Sequence, residues 1–332
     1  MSDKNLIGPW VRRFLLEHLV SERNLARNTQ ASYRDTLALL LPFVNAHTSQ
    51  AIDRMTVEDL TPGIVRQFLD HLETDRHCSG ATRNQRLATI HSLAQFIGMR
   101  SPVHLCWCTE IRSIPFKKTA KTLIGYLERI EVDALLNQPD RRTAMGARDY
   151  TLLLFLYNSG ARADEAAKLT IGNLQLGTSP SVRILGKGNK LRMCPLWPTT
   201  SLLLSRMTTE RDADEPVFLG RTSRPMTRFG IHRVVTQYAE LAAKSVQSLT
   251  TKRVSPHTIR HTTAVHLLRA GVDINTIRAW LGHVSLDTTH VYAEVDMEMK
   301  AKALASVDIS AMLRPPQRTR SLPSLMTFLK AL

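Results

Sequence analysis

The chain has 332 residues, 43% of them hydrophobic and 22% charged, the composition of a globular protein large enough for two domains with apolar cores. No stretch approaches the roughly 20 consecutive apolar residues that span a bilayer, and MSDKNLIGPWVRRFL lacks a small-residue cleavage site, so a cytoplasmic protein with no membrane partner is expected. The formal net charge of +15 points to a polyanionic partner, because each neutralised phosphate releases condensed counterions.

The expected fold is mainly α with a small antiparallel β-sheet. In the first hundred residues, Asn28-Thr29 reads as the cap of a helix from Gln30 to Val44, with Leu37, Leu40, Leu41 and Val44 at helical spacing. Pro62 suits a helix start, with Ile64, Phe68 and Leu72 as its apolar stripe. A further helix begins near Ser79-Gly80 and carries Leu87, Ile90, Leu93 and Phe96 inward, with Arg83 and Arg86 toward the other side. About four short helices with a basic face are expected. Cys106-Trp107-Cys108 with His104 lacks the second ligand pair that a zinc site needs, so no metal is expected and the four cysteines read as free thiols.

Ser113 to Lys121 (SIPFKKTAK) reads as an exposed connector. Beyond it, Glu128 to Leu136 is a short helix, and Ala147 to Ser159 is strongly apolar and expected to be buried. Val182 and Ile184 alternate with polar residues, GKGNK turns the chain, and Leu191 and Met193 alternate again, the pattern of a β-hairpin. The remainder is helical.

Four segments hold polar residues against apolar surroundings. Arg162 and Glu165 follow the apolar helix, three residues apart, and suit an ion pair on one helical turn. The turn Gly186-Lys187-Gly188-Asn189-Lys190 projects lysines and is not a P-loop. In SPHTIRH, Ser255 caps a helix and Pro256 opens it, so His257 and Arg260 share a face at an end where backbone N–H groups favour an anion. In WLGHVSLDTTHVYAEV, Gly282 ends a helix begun near Asp273, leaving His283 just beyond it, and Ser285 caps the next, which bears Tyr292.

In order and spacing, SGARADE, LGKGNK, HTIRH, LGH and a tyrosine nine residues past that last histidine resemble the catalytic pattern of the tyrosine recombinases, the family of phage integrases and Xer resolvases. The resemblance is continuous from Leu123 to Val307 and weaker in the first domain, where Tyr33 and Thr82-Arg83-Asn84 look like the family's core-binding domain. It departs from the pattern at Ala161, where leucine is commoner. The resemblance implies a SAM-like helical core-binding domain at 1–112, a linker at 113–122, an α+β catalytic domain at 123–312 and a docking tail at 313–332. It implies Tyr292 as nucleophile, Arg162 and Arg260 as phosphate clamps, and His257 as acid/base. Lys187 then matches the general acid with Lys190 as runner-up, His283 a phosphate ligand, and Glu165 a residue that orients Arg162 or His257. Arg83, Arg86 and Lys190 are expected on DNA. The implied partner is duplex DNA with inverted-repeat core sites, held between the two domains in a homotetramer or a hetero-tetramer with a related recombinase, with room for accessory proteins and no cofactor. The terminal SLPSLMTFLKAL, with Leu322, Leu325, Met326, Leu329 and Leu332 at helical spacing, is too short to be stable alone and must dock on a neighbouring subunit or on its own domain. A type IB topoisomerase, a non-catalytic DNA-binding protein and a metal-dependent nuclease are the competing readings.

Overall fold

The computed structural model describes residues 5–119, 125–186 and 188–282. The chain divides into two compact units, Met1–Thr122 and Leu123–Leu332. Among the described residues no helix is long and apolar enough to cross a membrane.

In the first unit, α1 (Ile7–Arg13) continues into a π-helical stretch, Phe14–Glu22, followed by α2 (Arg27–Thr48), α3 (Pro62–Thr74), α4 (Gly80–Gly98) and α5 (Leu105–Arg112). Thr61 and Ser79 cap α3 and α4, their side chains accepting from Ile64 N and Thr82 N. The expected cap of α2 is corrected. The helix opens at Arg27 after Ala26, and the amides of Thr29 and Gln30 already donate to the Ala26 carbonyl, so Asn28 and Thr29 lie inside the first turn. Leu37, Leu40 and Val44 of α2 meet Phe68 and Leu72 of α3 and Leu87, Ile90, Leu93 and Phe96 of α4 in one core.

The start of the expected connector belongs to this unit. Ile114 is buried, and the Asn84 side chain clasps the Lys117 backbone, donating to its carbonyl at 2.8 Å and accepting from its amide at 3.0 Å. The Lys117 ammonium also reaches Glu73 at 3.0 Å. Lysine-rich composition suggests a solvated strand of chain, but it cannot reveal that a distant asparagine satisfies the backbone. Arg83, expected on DNA, points into the same junction. Its side chain is 11% exposed, lies 3.7 Å from Glu73 and donates to the Pro115 carbonyl.

The second unit is built around α7 (Ala144–Ser159), an apolar helix enclosed on nearly every side. Around it pack α6 (Arg129–Leu136), α9 (Pro198–Thr208) and α11 (Pro256–Arg269), with α10 (Arg228–Ala242) against α6 and α11 and α12 (Ile274–Leu281) against α11. Gly160 ends α7 in the left-handed conformation, at φ +59°, and the short α8 (Ala163–Ala167) follows. The sheet has the order β1 (Leu174–Gln175), β2 (Ser181–Leu185), β3 (Leu191–Pro195), all antiparallel.

The facing of β3 corrects the sequence pattern. Leu191 and Met193 are exposed, and Arg192 and Cys194 point inward. The register pairs Val182 with Cys194 and Ile184 with Arg192. Directly opposed residues share a face, so the inward turn of Val182 and Ile184 takes Arg192 in with them. Gly188 and Asn189, both at positive φ, set that register.

A Cβ on Gly160 would lie 2.4 Å from Leu281 in a backbone conformation that side chains resist. Gly160→Ala is therefore expected to lower stability by roughly 2 kcal/mol or more, combining overpacking with strain. Urea denaturation checks this as a shift in midpoint at unchanged slope.

Candidate active site

Ser255 caps α11 by accepting from Thr258 N at 3.2 Å, and Pro256 occupies its first position. This fixes His257 at the open end of the helix and Arg260 one turn further in. Arg260 is the largest fully buried side chain of the described residues, 1% exposed. A buried guanidinium requires acceptors, and two lie in place: Nη1 donates to the Gly160 carbonyl at 2.6 Å and Nη2 to the Leu281 carbonyl at 2.5 Å. Arg260 thus joins the end of α7 to the end of α12.

Two residues past Gly160, Arg162 is the N-cap residue of α8. Its amide donates to one oxygen of Glu165 at 2.9 Å, and its guanidinium donates to the other at 2.7 Å. The expected ion pair exists, with a partner that the sequence pattern hides. Arg192 donates from Nη2 to Glu165 at 2.7 Å and from Nε to the Trp280 carbonyl at 2.9 Å. Burial works to raise the Glu165 pKa, but the hydrogen bond and charge of Arg192 and the bonds from Arg162 prevail and hold it below the ordinary carboxylate range.

Arg162, His257 and Arg260 line one cavity of about 470 Å³, together with Arg228, Phe229 and His232 from the start of α10. The setting is strongly cationic. Asp164, also on its wall, pairs with Lys168 at 2.7 Å. His257 opens to solvent on one side, yet the protein around it lowers its pKa, helped by the charges of Arg260 and Arg162. Its neighbour His261, with ring centroids 4.2 Å apart, is pushed down to about 4 by burial and by the charges of His257 and Arg260. Near neutral pH both imidazoles are therefore uncharged, and His257, the one open to the cavity, is the one placed to take up a proton.

Lys190 is exposed at the hairpin turn, where its carbonyl accepts from Gly186 N at 2.8 Å. Lys187, His283, Ser285, Tyr292 and the tail lie outside the described residues. The sequence reading missed Arg192, because alternation alone does not say which residues of β3 face inward, and the pairing with β2 decides it. It also missed Arg228, Phe229 and His232. The signal in the sequence was Thr227 as a helix cap, which sets Arg228, Phe229 and His232 at the start of α10; the 71% exposure of Phe229 came only with the fold.

Residues 126–299 match the model of the phage integrase family, and residues 12–100 match that of the phage integrase N-terminal SAM-like domain. An inferred integrase/recombinase of Sinorhizobium fredii, y4rC, is 34% identical over the full length of both chains. Tyrosine recombinase XerD of Yersinia pestis is 33% identical over 88% of this chain and 94% of its own. Among solved structures, the Tn1549 transposon integrase in complex with circular intermediate DNA aligns with a TM-score of 0.68 at 15% identity, covering 91% of this chain and 99% of that one. XerH recombinase bound to its difH substrate aligns with a TM-score of 0.64 at 20% identity, covering 88% and 83%. These structures share the fold. The chain belongs to the phage integrase family of tyrosine recombinases. It is a site-specific DNA recombinase, an enzyme that breaks and rejoins DNA strands.

The lowered pKa of His261 has a consequence for stability. Between about pH 4 and 6.5 the unfolded chain binds a proton there that the native state refuses, so stability falls as pH drops through that window. Thermal melting at pH 7 and pH 5 is expected to show a smaller loss for His261→Asn than for the parent.

Proposed function

We propose that Tyr292 is the nucleophile and that the cavity bearing Arg162, His257 and Arg260 receives the scissile phosphate. One observation carries this reading: Arg162 from the start of α8 and His257 and Arg260 from the first turns of α11, each suited to a phosphoryl-transfer role, share one cationic cavity. A phosphodiester is negative and repels nucleophiles, and more charge gathers on its oxygens during attack. Arg162 and Arg260 donate forked, charge-assisted bonds to the non-bridging oxygens. Each such donor contributes on the order of 3 kcal/mol to the transition state.

The Tyr292 oxygen bonds to phosphorus as the bond to the 5′-oxygen breaks. A phenol with an ordinary pKa near 10 must shed its proton on attack, and the uncharged His257 accepts it. Lys187 donates a proton to the leaving 5′-oxygen, with the exposed Lys190 as alternative donor. The products are a 3′-phosphotyrosine and a free 5′-hydroxyl. His283 hydrogen-bonds the phosphate, and Glu165 orients Arg162. A second strand's 5′-hydroxyl reverses the step, so the phosphotyrosine bond conserves the energy and no nucleotide triphosphate is consumed. Arg228, Phe229, Arg86 and Lys190 face the DNA around the phosphate or along its flanks. The substrate is duplex DNA with inverted-repeat core sites on the nucleoid. Four subunits, identical or shared with a related recombinase, carry out exchange, and the C-terminal segment docks between them.

Covalent trapping from a randomised duplex library supplies a substrate, which is then nicked beside the scissile phosphate so that cleavage cannot reverse. The parent protein is expected to form a covalent complex in the presence of EDTA, and Tyr292→Phe none. Equal trapping by Tyr292→Phe would remove the nucleophile assignment, and relaxation of plasmids without exchange between two sites would favour a topoisomerase. Arg162→Lys, which keeps the charge but loses the fork, is expected to slow single-turnover cleavage by on the order of 100-fold.

A further inference from the structure

Arg192 has no place in the mechanism above, yet it is one of the most enclosed cations of the second unit. Its side chain is 7% exposed and meets Glu165, whose side chain is 5% exposed, at 2.7 Å. The other partner of Glu165 is Arg162, 37% exposed and facing the cavity. Two guanidiniums therefore share one carboxylate, and the triad carries a net charge of +1. The buried pair neutralises itself, and the surplus charge lies on the exposed member.

We propose that Arg192 is a positioning residue, the counter-ion that occupies Glu165 so that the charge of Arg162 remains available to the phosphate. The inference rests on the assignment of Arg162 to that phosphate. Without Arg192, the carboxylate has a single cationic partner and closes on Arg162 as a full ion pair, which blunts the field in the cavity. The geometry fits this task better than simple packing. The Arg192 guanidinium is held on two sides, by Glu165 and by the Trp280 carbonyl. It also lies against Gly186 and Gly282: a Cβ at either would come within 3.4 Å of Nη1. Both glycines thus let the backbone come close to the guanidinium, and at Gly282 a Cβ would meet the Arg192 Cδ at 3.1 Å.

The test compares Arg192→Gln, which keeps a donor but removes the charge, with Arg192→Lys, which restores the charge. The probe is the nicked duplex selected above, made once with an ordinary scissile phosphate and once with a methylphosphonate. The methylphosphonate is uncharged and depends less on Arg162. Arg192→Gln is expected to cleave the ordinary substrate roughly 10- to 100-fold more slowly than the parent, less than the loss of a donor outright. On the methylphosphonate it is expected to stay within about threefold of the parent. Arg192→Lys is expected to recover most of the ordinary rate. Equal losses on both substrates, an unchanged rate for Arg192→Gln, or failure of lysine to restore it would each overturn the proposal. Should Arg192→Gln not fold, Arg192→Gln/Glu165→Gln leaves no stranded carboxylate. That double variant must then outpace Glu165-containing Arg192→Met, normalised to folded protein, or the proposal fails. A parent that traps no DNA would instead overturn the phosphate assignment itself.

Discussion

A carboxylate buried between two guanidiniums is the constraint on which the second unit depends. Glu165 lies on α8, Arg162 at its cap and Arg192 on β3, and Arg192 extends to the last turn of α12. Taking such charges out of water is costly, and removing one partner of a buried pair leaves the other stranded at about 3–5 kcal/mol. The arrangement persists because each group meets a complementary donor or acceptor. It also ties three elements that share no sequence neighbourhood.

A second buried cation reinforces the first. Arg260 and Arg192 converge on consecutive carbonyls, Leu281 and Trp280, at the end of α12. The last carbonyls of a helix have no intrahelical partner, and the helix dipole makes them attractive to cations. Two arginines from different elements answer that need, and Gly282 turns the chain away in the left-handed conformation. The cationic character of the site is thus built into the packing of the unit. Cys194, next but one to Arg192 on the same inward face, is inert by comparison: burial raises its thiol pKa to about 12.

The same design suits an enzyme that makes and breaks phosphodiester bonds without a nucleotide. Catalysis of that kind rests on charges held in place before the substrate arrives, because fixed dipoles and cations need no reorganisation as the reaction proceeds. In the site proposed above, Arg162, Arg260 and His257 would supply such fixed groups. The overall charge of +15 acts at longer range, raising the local concentration of DNA near such a site.

Helix starts at Ser79, Ser255 and Asp273, the buried apolar helix ending at Ser159 and the stop at Gly282 were all legible in the sequence. They depend on local chemistry: caps, fixed proline φ, glycine at positive φ and apolar period. The pairing of Arg162 with Glu165 was legible for the same reason, being one helical turn long. The Asn84 clasp on Lys117, the facing of β3 and the second claim on Glu165 were not, because each joins residues far apart in the chain. By itself the sequence determined which side chains stand at each helix end and hairpin turn. Only the tertiary structure decided that Arg192 turns inward and that Arg162, His257 and Arg260 line one cavity. Strand register and helix packing settle those matters, and both arise from contacts that no local pattern contains.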